Sequence, residues 1–293
     1  MNFIYILFYL ILSIIPFHSY SSIQIDAKDW DDIEYVCNYL FKFHPLSYTL
    51  FFDKPISFAE LSEGSDTADF LIKHFGVNYF VTATLLSQGG HRNKGLTKAW
   101  KTLSKYLRFC DENYILVERN ETICFINKQA TVDCINSHIN LFQSVFGQDF
   151  SGDLFIKNFK ESDLDLHSFL NYNHYLIGIL LGFGEHNAWL FQRRADLYQL
   201  TASLDTVRNC KEIIETEEEI NCIQKRLQGC NEYSCLPFIM YCHPQYAADR
   251  CEQESIDLEK KYLIQSRRIQ TILSSPDWVK KILSHLMPNL AGI

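Results

Sequence analysis

The sequence predicts an α+β protein, predominantly helical, with a small antiparallel sheet or hairpin in the N-terminal half. Three observations carry this. Residues 114–118 (YILVE) and 122–126 (TICFI) are β-favouring runs joined by Arg119-Asn120-Glu121, the best hairpin signal in the chain. From Asp163 onward the apolar residues recur with a helical period. No Pro/Gly/Ser-rich linker and no internal repeat interrupts the 293 residues. Residues 22–293 therefore read as a single mixed α+β domain with a helical, Cys-rich C-terminal half, in preference to two domains.

Residues 26–43 are expected to form a helix. Asp26 or Asp29 caps it, Ile33, Val36, Cys37, Leu40 and Phe41 share a face, and His44-Pro45 stops it. Residues 48–52 are aromatic and β-favouring, and Lys54-Pro55 turns the chain into an extended run at 56–58. Residues 61–66 read as loop, 70–86 fit helix or strand, and 87–95 form a glycine-rich loop. A helix over 96–109 puts Trp100, Leu103, Tyr106 and Leu107 on one side. After the hairpin, Asn127-Lys128 leads into an amphipathic helix through Val145 that covers one sheet face, and 147–152 is a break. Helices follow over 163–170, 172–183, 185–204 and 211–228, the last with Gly229 as its C′ residue. An irregular, Cys-rich connection over 230–244 precedes a long charged helix (246–273). A final helix opens near Pro276 and carries Trp278, Val279, Ile282 and Leu286.

Composition excludes several classes. With 47% hydrophobic residues the chain is not disordered, and seven Pro with twelve Gly exclude a collagen-like or linker-like polymer. Lys plus Arg number 27 against 35 Asp plus Glu, a net charge of −8, so no broad nucleic-acid-binding face is expected. No basic amphipathic helix supports a membrane-surface role.

Residues 1–22 (MNFIYILFYLILSIIPFHSYSS) hold no charged side chain, and 3–15 are almost wholly apolar. Pro16 ends that run, and Ser19-Tyr20-Ser21 offers small residues where a signal peptidase reads. Residues 1–21 thus read as a secretory signal peptide, although no Lys or Arg forms an n-region. The expected location is the periplasm or the extracellular space. The alternatives are a membrane anchor through residues 3–17, left uncleaved, and a buried helix of a cytosolic protein. The ten cysteines follow the compartment: in an exported protein some disulfide bonding is expected, with six cysteines crowded between Cys210 and Cys251.

The most distinctive stretch is 178–194 (GILLGFGEHNAWLFQRR). Gly182 and Gly184 follow an apolar run and open a helix, but Asn187 stands where a dinucleotide turn needs its third glycine, and no βαβ alternation surrounds it. The glycines equally suit a sharp corner between two helices. Glu185, His186 and Asn187 then sit at a helix start, with Arg193-Arg194 two turns on, and exposed backbone N–H groups there are suited to an anion. The bland alternative has Glu185 and Asn187 capping the helix and both arginines facing solvent. Gly182, Gly184, Glu185, His186, Asn187 and Arg193 are the candidate binding residues.

Other patterns fall short. Residues 90–97 (GHRNKGLT) keep the spacing of a phosphate loop, but Leu96 replaces its lysine. No G-x-S-x-G, H-E-x-x-H or S-x-x-K set is present, and no catalytic residue is assigned. Cys230, Cys235, Cys242 and His243 have gaps too irregular for a metal set, so no metal or other cofactor is assigned. Asp163, Asp165 and His167 alternate like metal ligands, yet suit a helix N-terminus better. Asn120-Glu121-Thr122 is a glycosylation sequon in the expected hairpin turn.

Three stretches, LFFDKPISF (50–58), ICFINK (123–128) and LIGILLGFGEHNAWLF (176–191), resemble segments of uncharacterised exported proteins of chlamydia-like and other intracellular bacteria. The resemblance implies export and a bacterial source, and transfers no catalytic residue. Two functions remain in view. The first is an exported soluble protein that binds a partner protein or small ligand. The second is an exported hydrolase with a site near Glu185, His186 and Arg193.

Overall fold

The computed structural model describes residues 25–61, 95–207, 210–227, 248–249 and 251–288, with the side chains of 202–207 and 210–213 left out. The signal segment, the stretch 70–86, the phosphate-loop-like residues 90–94 and the Cys-rich connection 230–244 lie outside the described residues.

The architecture is the expected one: mostly helix, with a small antiparallel sheet from the N-terminal half. Strands β1 (Ile56–Glu60), β2 (Tyr114–Arg119) and β3 (Thr122–Asn127) pair in the order β1-β3-β2, so β3 is central. Ile126 lies opposite both Ile56 and Ile115. The β2–β3 turn uses Asn120 and Glu121 at φ +50° and +60°, the left-handed pair that a two-residue hairpin turn requires. Asn120 also donates to Asp165 Oδ2 at 2.9 Å.

Strand periodicity splits the core. Ile123 and Phe125 face one apolar cluster, Cys124 and Ile126 the other, and all four are buried. Both faces of the sheet are therefore covered, rather than one. The first layer holds α1 (Trp30–Cys37, extended by a π-helical turn over Asn38–Phe43), α2 (Leu46–Phe51) and α3 (Leu96–Ser104). Helices α11 (Gln253–Leu273) and α12 (Trp278–Leu286) join them there, so residues from both ends of the described chain share one core. The second layer comprises α4 (Lys128–Ser137), α5 (Ile139–Phe146), α6 (Gly152–Glu161), α7 (Leu166–Phe169) and α8 (His174–Leu180). Helices α9 (Glu185–Val207) and α10 (Cys210–Leu227) form a hairpin with its own cluster of Leu190, Leu197, Ile220, Ile223 and Leu227.

Three local expectations are corrected. The β-favouring run at 48–52 lies mostly in α2: Leu46 through Leu50 are all buried, and a segment covered on every side loses the alternation a strand displays. The helix expected through Val145 breaks at His138 into α4 and α5. Helix α6 was not expected beyond the break at 147–152. Its signals are Ser151, whose Oγ accepts from Leu154 N–H, and Phe155 and Phe159, one turn apart and fully buried. Asp165 caps α7 through Ser168 N–H, the role its position suggested.

Among the described residues no helix is long and apolar enough to cross a membrane. Cys37, Cys110, Cys124, Cys134, Cys222 and Cys251 are free thiols.

Candidate functional site

The site begins at the corner between α8 and α9. Gly182 and Gly184 take φ of +73° and +84°, a conformation that costs other residues strain, and so turn the chain between the helices. The corner's carbonyls are satisfied from the first layer: Tyr262 OH donates to Gly182 O at 2.8 Å, and Lys54 Nζ donates to Leu181 O. Lys54 is 3% exposed, and burial pushes its amine down to about 7. Sequence inspection gave Lys54 no role beyond a turn.

The start of α9 is capped from another helix. Glu254, in the first turn of α11, accepts from Glu185 N–H at 2.8 Å and from His186 N–H at 2.9 Å, one oxygen each. A Cβ on Gly184 would stand 2.8 Å from the Glu254 carboxyl carbon, so the glycine also clears the carboxylate's approach. The anion suited to this helix N-terminus is thus a side chain of the same protein.

Asn187 is 2% exposed and fastens three segments. Its amide donates to Phe183 O and Ser255 Oγ, both at 2.9 Å, and its carbonyl accepts from Asp249 N–H at 2.9 Å. Asp249 in turn is held by the Arg226 guanidinium at 2.6 Å, with His186 Nε2 at 3.2 Å from the same carboxylate oxygen. Burial works against the Asp249 charge, but the Cys251 N–H, Arg226 and His186 outweigh it and hold the carboxyl below its usual range. Arg226 also comes within 3.2 Å of His186 Nε2.

Above this network lies an open cleft of about 470 Å³ lined by Tyr175, Glu185, His186, Trp189 and Glu254. Tyr175 OH donates to Glu185 Oε1 at 3.0 Å, and burial together with that carboxylate pushes the phenol up to about 12. His138 Nε2 lies 3.7 Å from the other Glu185 oxygen. Trp189 is 47% exposed.

Of the six candidate residues, the structure brings Glu185 and His186 to the cleft. Gly182 and Gly184 shape the corner, and Asn187 is a buried fastener. Arg193 points elsewhere: it makes a two-pronged pair with Glu219 at 2.7 and 2.8 Å, joining α9 to α10. Sequence reasoning missed Tyr175, Trp189, Arg226, Asp249, Glu252 and Glu254. The last four stand 40 or more residues from His186, beyond any local pattern. His186, Asp249 and Glu252 each offer a metal-ligating atom, all within 4.8 Å of one another, a set no sequence spacing indicated.

No family model, curated protein or solved structure matches this chain.

Proposed function

We propose that this is an exported binding protein whose cleft at the start of α9 receives a positively charged group, carried by a small ligand or by a basic side chain of a partner. One observation carries the reading. Among the described residues the cleft is lined by two carboxylates, two aromatic side chains and a histidine, and by no lysine or arginine. A cation near Trp189 and Tyr175 gains on the order of 0.5–2 kcal/mol from a ring face, and the Glu185 and Glu254 oxygens keep lone pairs beyond those in their hydrogen bonds. An anionic ligand is disfavoured because Glu254 already takes the two N–H groups it would use. Export is supported by the apolar, uncharged segment 1–22 and by the resemblance to exported bacterial proteins.

The test is a titration of the full chain with arginine methyl ester, followed by the Trp189 indole N–H signal in NMR. Nα-acetylcitrulline methyl ester, of similar shape but without any charge, is the control. Saturable shifts with the arginine ester alone, weakened at least about tenfold by Glu185→Gln, are expected. Equal response to both esters, or none to either, refutes the reading. Export is checked by intact mass from the native host: loss of about 21 residues is expected.

The hydrolase reading draws on the His186–Asp249 contact, which resembles a base held by its orienting acid. Among the described residues no Ser, Thr or Cys side chain hydrogen-bonds to the His186 ring, and Arg193 is turned away, so binding is the better-supported function.

A further inference from the structure

His186, Asp249 and Glu252 converge from the start of α9 and from the segment leading into α11, with one potential ligand atom each inside a 4.8 Å span. Asp249 is 2% exposed, and a carboxylate so placed needs a cation beside it. Among the described residues Arg226 is that cation. It comes from the last turn of α10, its side chain is 42% exposed, and it lies 2.6 Å from Asp249 Oδ2 and 3.2 Å from His186 Nε2. The guanidinium thus stands against a carboxylate oxygen and a ring nitrogen of two of the three residues, atoms a metal ion could bond. It brings one positive charge to a cluster with two carboxylates, whereas a divalent ion would match both.

We propose that His186, Asp249 and Glu252 form a divalent-cation site that Arg226 keeps closed, ion and guanidinium competing for the Asp249 carboxylate. One imidazole and two carboxylates suit zinc or manganese better than calcium or magnesium, which take all-oxygen shells. Three protein ligands leave further coordination positions, and His186 also lines the cleft. The inference goes beyond the proposed function, which turns on Tyr175, Glu185, Trp189 and Glu254; His186 is the one residue that borders both. The exposed guanidinium swings into solvent when the ion enters, so affinity depends on how firmly Arg226 holds Asp249.

The test is Mn²⁺ binding to the full chain, read as loss of the free-ion EPR signal; Mn²⁺ is chosen because thiolates are poor ligands for it. Arg226→Gln keeps a hydrogen-bond donor near Asp249 and removes the charge. It is expected to bind one Mn²⁺ at least about tenfold more tightly than the wild type. Adding His186→Ala or Glu252→Gln is expected to abolish that gain. Equal affinity of Arg226→Gln and wild type, or binding that survives both ligand replacements, overturns the proposal. A second measurement needs no substitution. In the wild type, saturating Mn²⁺ broadens the His186 ring signals before those of His285, which packs on Phe51 in the other layer. Sharp His186 signals at saturation overturn the proposal equally.

Discussion

Replacing Lys54 by methionine keeps the aliphatic stem in place and removes the buried amine that supports the α8–α9 corner. Desolvation holds that amine near 7 in the folded protein, against about 10.4 in an unfolded chain. Below pH 7 both states carry the proton and the burial penalty is constant. Between 7 and about 10.4 the unfolded chain holds a proton that the folded protein has released, so stability rises with pH. The slope is at most about 1.4 kcal/mol per pH unit, and the gain from pH 7 to 8.5 integrates to roughly 1.5 kcal/mol. Buried thiols pull the other way. Cys37, Cys110 and Cys124 are pushed up to about 12 by burial and Cys134 to about 11, so ionisation of unfolded thiols lowers stability above about pH 8.5. The informative quantity is therefore the difference between wild type and Lys54→Met, in which the thiol contribution cancels. Urea unfolding at half-unit steps from pH 7 to 8.5 measures it. The wild type is expected to gain roughly 1.5 kcal/mol relative to the variant across that range. A difference that stays constant with pH would show instead that Lys54 remains charged in the fold.

Other consequences follow from the same geometry. Gly184→Ala forces a Cβ against the Glu254 carboxyl at a φ of +84° and should lower stability by about 2 kcal/mol, seen as a reduced Tm, with faster amide exchange at Glu185 and His186. Asn187→Ala takes the side-chain acceptor from the buried Asp249 N–H and one donor from the Phe183 carbonyl; a loss of about 2–4 kcal/mol is expected in denaturant melts. Arg193→Ala breaks only a half-exposed pair, so a change under about 1 kcal/mol, with arginine-ester binding unaltered, is the expected outcome.

The parts of the fold written in local pattern were legible. The hairpin at 114–126 announced itself through two β-favouring runs and a short polar turn, and the helices of the C-terminal half through their apolar stripes. What failed was decided by packing. Residues 48–51 have strand-like composition, yet packing on the first layer holds them in a helix; α6, by contrast, carries local signals in its Ser151 cap and in Leu154, Phe155, Ile156 and Phe159. At the site, Gly182, Gly184 and Glu185-His186-Asn187 marked the corner between α8 and α9 because a helix start after two glycines is a local feature. Glu254, Asp249 and Arg226 could not be paired with it, since their contacts with Glu185, His186 and Asn187 form only when α10 and α11 dock. Arg193 shows the converse limit: its proximity in sequence to His186 suggested a shared site, but two helical turns carry it to Glu219 instead.

The cleft between Trp189 and the Glu185–Glu254 carboxylates is proposed to receive a cation. A crystal structure of the full chain soaked with arginine methyl ester tests it most directly. The guanidinium is expected over the Trp189 ring and within hydrogen-bond distance of Glu185 or Glu254. An empty cleft at a ligand concentration that saturates the solution titration, or the ester bound elsewhere on the protein, would contradict it.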